Sequence, residues 1–271
     1  MVAEDTMLAN SSRLLFLDDS IHSIESVGSD ELVAPYTHLN SEIVQVASKN
    51  PTRIAIIGGG SYSLPKNLKS AYPSASVEVI EIDKQVTTTA EKFFSLDSSK
   101  IKTTTEDARL FFAKNKNSYD VIINDAYNST ISVPWHLTTQ EFLADINNSL
   151  RDNGVYIANF ISSSEKDKSG LLKSYYKTAT SIIPSTFALK TLDSSSSIQN
   201  MTIISLKNPD QQTTNALTQK FKNAILDDPI LNTPGSVLLT DNFAPVERLM
   251  LPVVNDYYAQ YLNNFYIKFL Y

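Results

Sequence analysis

Three consecutive glycines, Gly58, Gly59 and Gly60, follow directly on the apolar run "RIAII", and Glu81 and Asp83 close the next apolar run. The whole stretch, residues 53–83, reads "RIAIIGGGSYSLPKNLKSAYPSASVEVIEID". Glycine after a strand lets the chain turn sharply and approach a ligand, and a helix starting there offers free N–H groups. An acid about 20 residues further on is placed to accept from ribose hydroxyls. The pattern therefore predicts a strand, a turn, a helix and a second strand of a parallel α/β sheet. Three contents fit between loop and acid: a nicotinamide dinucleotide, an adenosyl sulfonium compound, or nothing. The dinucleotide fingerprint wants a third glycine where this chain has Ser63, and no second mononucleotide half follows, which weighs against the first.

The alternation continues downstream. Runs 53–58, 76–82, 101–106, 119–124 and 154–161 read as strands without polar alternation, the signature of a parallel sheet covered on both faces. Between them, helices are predicted over 64–71, with Ser63 as N-cap and Pro65 in the first turn, and over 83–94, opening at Asp83. Another follows Asp107, and Thr138 with Glu141 has capping-box spacing for the next. A helical stretch near 167–182 precedes runs 186–192 and 201–206, which a short polar linker should make antiparallel neighbours, with a surface turn at 194–197. The expected plan is a doubly wound, Rossmann-like α/β sheet with an antiparallel C-terminal strand pair, similar to Class I methyltransferase-like domains. Residues 1–50 read as a separate segment: a β-hairpin turning at 18–20, then a lead-in helix over 39–48. Residues 51–271 form the nucleoside-binding domain.

Candidate site residues lie at the carboxyl edge of that sheet, where such folds bind ligands. Glu81 suits a ribose diol; its plainer reading is a solvated strand end. Asp107, after the third strand, suits the exocyclic amine of adenine or serves only as a helix cap, the reading preferred for Asp83. Asp125 ends the fourth strand beneath a long segment, "AYNSTISVPWHL", that reads as a lid. An acid buried there is a candidate general base, or a structural acid held by backbone N–H groups. Trp135 and His136 line the ligand or simply pack the loop.

Composition excludes several classes. With 42% hydrophobic and 19% charged residues the chain is globular, and a net charge of −6 argues against a nucleic-acid surface. The absence of cysteine removes disulfides, thiolate metal sites and a Cys nucleophile, and suits a cytoplasmic setting. His22, His38 and His136 are scattered, so no metal cluster is expected. No run is long enough to span a bilayer, and the start lacks a secretory pattern. The aromatic tail, 257–271, is expected to pack as a terminal helix, with a membrane surface or a partner as alternatives.

Taken together, these segments resemble the spermidine synthases, the polyamine aminopropyltransferases, along nearly the whole chain. "LLFLDDSIHSIES" is similar to that family's N-terminal hairpin, "ELVAPYTHL" to its tyrosine-histidine helix start, and "IAIIGGGS" to its I-G-G-G-D-G. "VIEID" and "EDARLFF" match the ribose and adenine motifs, and "INDAYN" resembles D-S-S-D-P. "SVPWHLTTQEFL" and "LLTDNFAPVERL" look more specifically like bacterial spermidine-synthase-like proteins. The resemblance implies that Gly58, Gly59, Gly60, Ser61, Glu81, Asp107 and Ala108 bind the nucleoside. It implies Asp125 as the acid that positions or deprotonates the amine, and Tyr36 in the acceptor site.

Three departures bear on the amine. The family's Asp after the glycines is Ser61, its second gate-loop Asp is Asn128, and its hairpin Gln is His22. Asp241 and Glu247 are candidates to restore the lost acidity. The implied reaction moves an aminopropyl group from decarboxylated S-adenosylmethionine to a small amine, releasing methylthioadenosine, with no permanently bound cofactor and with a homodimer as a usual assembly. Use of S-adenosylmethionine itself, as in methyl transfer, and a non-catalytic adenosyl-binding module are the alternatives.

Overall fold

In the computed structural model of the 271-residue chain, residues 6–10, 18–19, 128–132, 192–197, 233 and 270–271 lie outside the described residues, as do the side chains of 4–5, 17, 20, 228–229 and 260–269. The chain opens with β1 (Val2–Asp5), β2 (Ser12–Leu17) and β3 (Ser20–Ser26), an antiparallel sheet in that order. The expected hairpin thus gains a third strand, β1, whose residues 2–5 pair with 12–15. The turn expected at 18–20 falls mostly outside the described residues, with Ser20 already in β3. The lead-in helix, α1 (Pro35–Ala47), starts earlier than the sequence reading had it, because Pro35 supplies a preset φ in the first turn. The buried face of α1 packs on the central sheet rather than on the hairpin.

The central sheet begins with β4 (Arg53–Ile57), α2 (Ser63–Ala71), β5 (Ser76–Glu81), α3 (Lys84–Phe93), β6 (Lys102–Thr105), α4 (Ala108–Lys114) and β7 (Tyr119–Asn124). After a 3-10 turn at Trp135–Leu137 come α5 (Gln140–Ser149), β8 (Leu150–Ser163), α6 (Gly170–Ile182), β9 (Thr186–Lys190) and β10 (Ile198–Leu206). The chain ends with α7 (Gln211–Lys220), α8 (Asp228–Leu231) and α9 (Val246–Phe269). Seven strands run in the order β6-β5-β4-β7-β8-β10-β9, parallel from β6 to β8. The last strand in sequence, β10, slots antiparallel between β8 and β9, so β9 is the edge. The surface turn expected at 194–197 lies outside the described residues, 192–197, and the last three residues of the expected polar linker, 198–200, already belong to β10.

Both faces of the sheet are covered, as the non-alternating strands require. Ile54, Ile56, Val121 and Ile123 face Ile43, Val44, Leu68 and Leu217 of α1, α2 and α7. Ala55, Ile57 and Ile122 face Phe112, Phe142, Leu171 and Tyr175 of α4, α5 and α6. The edge strand β6, "KTTT", is the polar exception, since one side of it has no neighbour to bury.

Two expected caps shift by one residue. Ser63 is the first helical residue of α2, and the N-cap is Tyr62, in the left-handed region with φ 57° and no side-chain cap. For α5 the cap is Thr139, whose hydroxyl accepts from the Phe142 N–H at 3.3 Å. Thr138 donates instead to the Trp135 carbonyl, and Glu141 accepts from the Asp241 N–H at 2.9 Å, so no capping box forms. At the tail, α9 contains Pro252, and none of the described helices is long and apolar enough to cross a membrane.

Candidate active site

β4 is the switch point of the sheet, with β5 on one side and β7 on the other, and the loops leaving β4 and β7 diverge there. Their carboxyl ends open into a cavity of about 470 Å³. It is bounded by the glycine loop, Glu81, Asp107, Asp125, Asn159 of β8, Tyr36 of α1 and His22 of β3.

At the glycine-loop end, main-chain donors set the geometry. Gly58 has φ 90°, and a Cβ on it would stand 2.8 Å from the Asp125 carbonyl oxygen, so the β4 and β7 ends approach this closely only with glycine. The Gly59 N–H donates to Glu81 Oε2 at 2.7 Å and the Asp83 N–H to Oε1 at 2.8 Å. Both carboxylate oxygens are thereby fixed, each with a lone pair left for a diol. Burial pushes the Glu81 pKa up, and those N–H bonds oppose the rise. Asp107 does two things. Its Oδ1 caps α4 by accepting from the Arg109 N–H at 2.7 Å, and its Oδ2 lies 3.1 Å from His136 Nε2. Ala108 is buried beside it, and Asp83 caps α3 through the Gln85 N–H.

Beneath this loop lies Tyr62, fully buried. A bulky residue in the left-handed region costs roughly 1–2 kcal/mol. Burial of its ring and the hydrogen bonds its hydroxyl shares with Thr87 Oγ1 (2.9 Å) and Thr103 Oγ1 (3.2 Å) offset that cost. Ser61 lines the cavity, but its hydrogen bonds run to the N-terminal sheet: its N–H donates to Ser23 Oγ at 2.7 Å and its hydroxyl points to the Ile24 carbonyl at 3.4 Å. The N-terminal sheet therefore holds the far side of the loop. A second link is buried: Lys66 of α2 reaches Glu25 of β3 at 2.6 Å and the Phe94 carbonyl at 2.6 Å.

The other end is built from side chains. Asp125 accepts from Asn159 Nδ2 at 2.8 Å and from the Tyr36 hydroxyl. Loss of solvent at the cavity floor raises its pKa from 3.8 to about 7, against the pull of those two donors. Tyr36 and Tyr127 are both pushed well above the usual tyrosine value, first by burial and then by the adjacent carboxylate. Asn159 Oδ1 is buried with no protein partner and stays available to a ligand donor. His22 sits on the wall with its pKa lowered by burial.

The cavity assembles Gly58, Gly59, Gly60, Ser61, Glu81, Asp107, Ala108, Asp125, His22, Tyr36 and His136. Asn128 lies outside the described residues. Three expected residues are elsewhere. Trp135 is 42% exposed and edge-on to His136, and it does not line the cavity. Asp241 is occupied by Arg109 (2.6 Å) and by the Thr139 hydroxyl (2.7 Å), tying α4 to α5. Glu247 is exposed in the first turn of α9, where it favours the helix N-terminus. Neither acid replaces the carboxylates missing at Ser61 and 128. Asn159, Tyr127 and Tyr62 were missed from the sequence. A lone Asn inside the buried run "VYIANFI" was the readable signal, because such a group needs a partner.

Fold and site together define a Rossmann-like domain with a nucleoside-sized cleft at its switch point and a buried acid at one end. The sequence model of the family described as the spermine/spermidine synthase domain matches residues 34–210, and this chain belongs to that family. A polyamine aminopropyltransferase of Vibrio vulnificus is 37% identical over 119 residues, 42% of this chain and 40% of that protein. The match thus spans well under half of the relative's length. A probable spermidine synthase from Corynebacterium glutamicum superposes with a TM-score of 0.72 at 18% identity, covering 90% of this chain and 93% of that one. A spermidine synthase crystallised with the transition-state analogue AdoDATO gives 0.59 at 21%, covering 88% and 80%. At these identities the structural likeness is one of fold.

Proposed function

We propose that this protein is an aminopropyltransferase that takes decarboxylated S-adenosylmethionine as donor and a small amine as acceptor. The observation that carries the reading is Asp125: a carboxyl with a pKa near 7, gripped by Tyr36 and Asn159, on the floor of a cleft that also presents Glu81 and Asp107. Among the described lining residues there are acids and two histidines but no Lys or Arg, which favours a cationic sulfonium and an amine over anionic ligands. The carboxylate of S-adenosylmethionine itself would meet those acids without a cationic partner, so methyl transfer is the weaker reading. The family match and the named relatives support the same class.

The chemistry follows from charge. An alkylamine starts protonated, with a pKa near that of lysine, and freeing it at pH 7 costs about 4 kcal/mol. Asp125, ionised at or above neutrality, accepts that proton, and its raised pKa narrows the gap to the amine. The freed lone pair attacks the propyl carbon beside the sulfonium. The carbon–sulfur bond breaks with its electron pair on sulfur, and methylthioadenosine leaves neutral. Glu81 holds the ribose and Asp107 the adenine edge, so that carbon and nitrogen lie in line. Tyr36 and Asn159 keep the carboxylate aimed at the amine. With no cysteine to oxidise, the protein suits the cytoplasm.

The test is incubation with decarboxylated S-adenosylmethionine and a panel of diamines and polyamines. Mass spectrometry should find methylthioadenosine and an acceptor heavier by one aminopropyl group. Methylated product from ordinary S-adenosylmethionine, with none from the decarboxylated donor, would sink the assignment.

A further inference from the structure

The left-handed Tyr62 is out of keeping with its surroundings. Five described non-glycine residues have positive φ, and four of them are Ser or Asn. Tyr62 is the fifth, a bulky residue where the quoted G-G-G-D-G motif carries its last glycine. Such a conformation persists only where the surroundings enforce it, and it points toward a function. The surroundings here are specific. The ring lies so close under Gly59 that a Cβ there would meet Tyr62 Cε2 at 2.4 Å. The hydroxyl is tied to Thr87 on α3 and Thr103 on β6, the two elements flanking the strand that carries Glu81. Gly59 in turn donates to Glu81 Oε2 at 2.7 Å.

We propose that Tyr62 is a positioning residue for the nucleoside half of the site: its ring braces Gly59 from below, so that the Gly59 N–H holds the Glu81 carboxylate in the orientation that meets a ribose diol. Three consecutive glycines would otherwise leave this loop little restrained, since glycine has the most freedom to lose. The tyrosine confines it from one side while Ser23 confines it from the other through the Ser61 N–H. The brace acts on Glu81 and leaves Asp125, whose partners come from α1 and β8, untouched. This inference rests on the cleft being a nucleoside site, and it assigns part of that affinity to a residue that need not touch the ligand.

The test is calorimetric binding of methylthioadenosine to the full-length wild type, Tyr62→Phe and Tyr62→Gly, with steady-state kinetics on the same proteins. Tyr62→Phe keeps the ring and should bind within about threefold of wild type, while Tyr62→Gly frees the loop and should bind at least about tenfold more weakly. The KM for the donor rises with it, and the KM for the amine stays within about twofold. Where the glycine variant does not fold, Tyr62→Leu carries the same expectation, because it fills the site without placing a ring edge under Gly59. Equal affinity in all folded variants, with only the melting temperature lowered, would reduce Tyr62 to packing and overturn the inference. Failure of the wild type to bind at all would remove the nucleoside reading, and the brace with it.

Discussion

The two ends of the cleft are held by different means. At the glycine loop, main-chain groups do the work: Gly59 and Asp83, from two consecutive strand–turn units, present N–H groups to Glu81. At Asp125, the holding groups are side chains from segments far apart, Tyr36 on α1 and Asn159 on β8. A main-chain cradle is insensitive to most substitutions, because every residue brings an N–H. A side-chain clamp changes with each substitution and so is where a family can alter its amine specificity. Ser61 stands at the border of the two. It is held as main chain by Ser23, and it has lost the acidic side chain that the resemblance led one to expect.

The largest effect that should separate the two ends is chemical. Asp125→Asn is expected to lower turnover by at least about 10²-fold while methylthioadenosine binding stays within a few-fold. In the wild type, kcat/KM should fall about tenfold per pH unit below the Asp125 pKa of about 7 and lose that limb in the variant. Near-normal turnover of Asp125→Asn would dissolve the distinction. Next, Glu81→Gln should weaken methylthioadenosine binding by about 10- to 100-fold, through loss of a charged acceptor, while leaving the acidic limb of the pH profile in place. Movement of that limb would mean that the two ends are not independent.

A smaller effect concerns stability. The Asp125 pKa is raised on folding, so as pH climbs from about 4 to about 7 the unfolded chain gives up this proton before the native one does. Its contribution is thus fully present below pH 4 and is lost as pH rises through 7. Asp125→Asn removes that penalty and should stabilise the protein at pH 8 by on the order of 2 kcal/mol, with the gain vanishing near pH 4. Urea melts at the two pH values check it, and a loss at pH 8 would contradict the burial cost. The smallest effect is expected at Asp241. Because it pairs with Arg109 at the surface, Asp241→Asn should cost less than about 1 kcal/mol. It should leave the amine KM within about twofold, and a large rise would return that acid to the cleft.

Legibility in the sequence followed the same division. The strands, the glycine turn, Glu81 and Asp107 were readable because each depends on a local pattern, an apolar run followed by glycine or acid. Cap positions slipped by a residue at both helices: at α5 the adjacent Thr138 and Thr139 compete for the same N–H groups, and at α2 the left-handed Tyr62 starts the helix without any side-chain cap. That β10 would insert between β8 and β9 follows from pairing, which no local pattern encodes. Asn159 reaches Asp125 from the neighbouring strand, so only the fold brings it there, while Tyr127, two residues after Asp125, is near it in the chain but meets Asn159 only through the fold. Asp241 went wrong for the converse reason: its charge was visible, while the guanidinium that claims it lies on α4, far away in sequence.

The contact between Lys66 and Glu25 carries a practical corollary. The segment matched by the family begins at residue 34, yet the ammonium that anchors α2 finds its counter-charge on β3, ahead of that boundary. A protein trimmed to the matched segment would lose the Glu25 partner of Lys66 and strip the glycine turn of its outer wall. What inheritance delimits as one module is, mechanically, only part of the body that walls the cleft, since His22 and Ser23 of β3 line it as well.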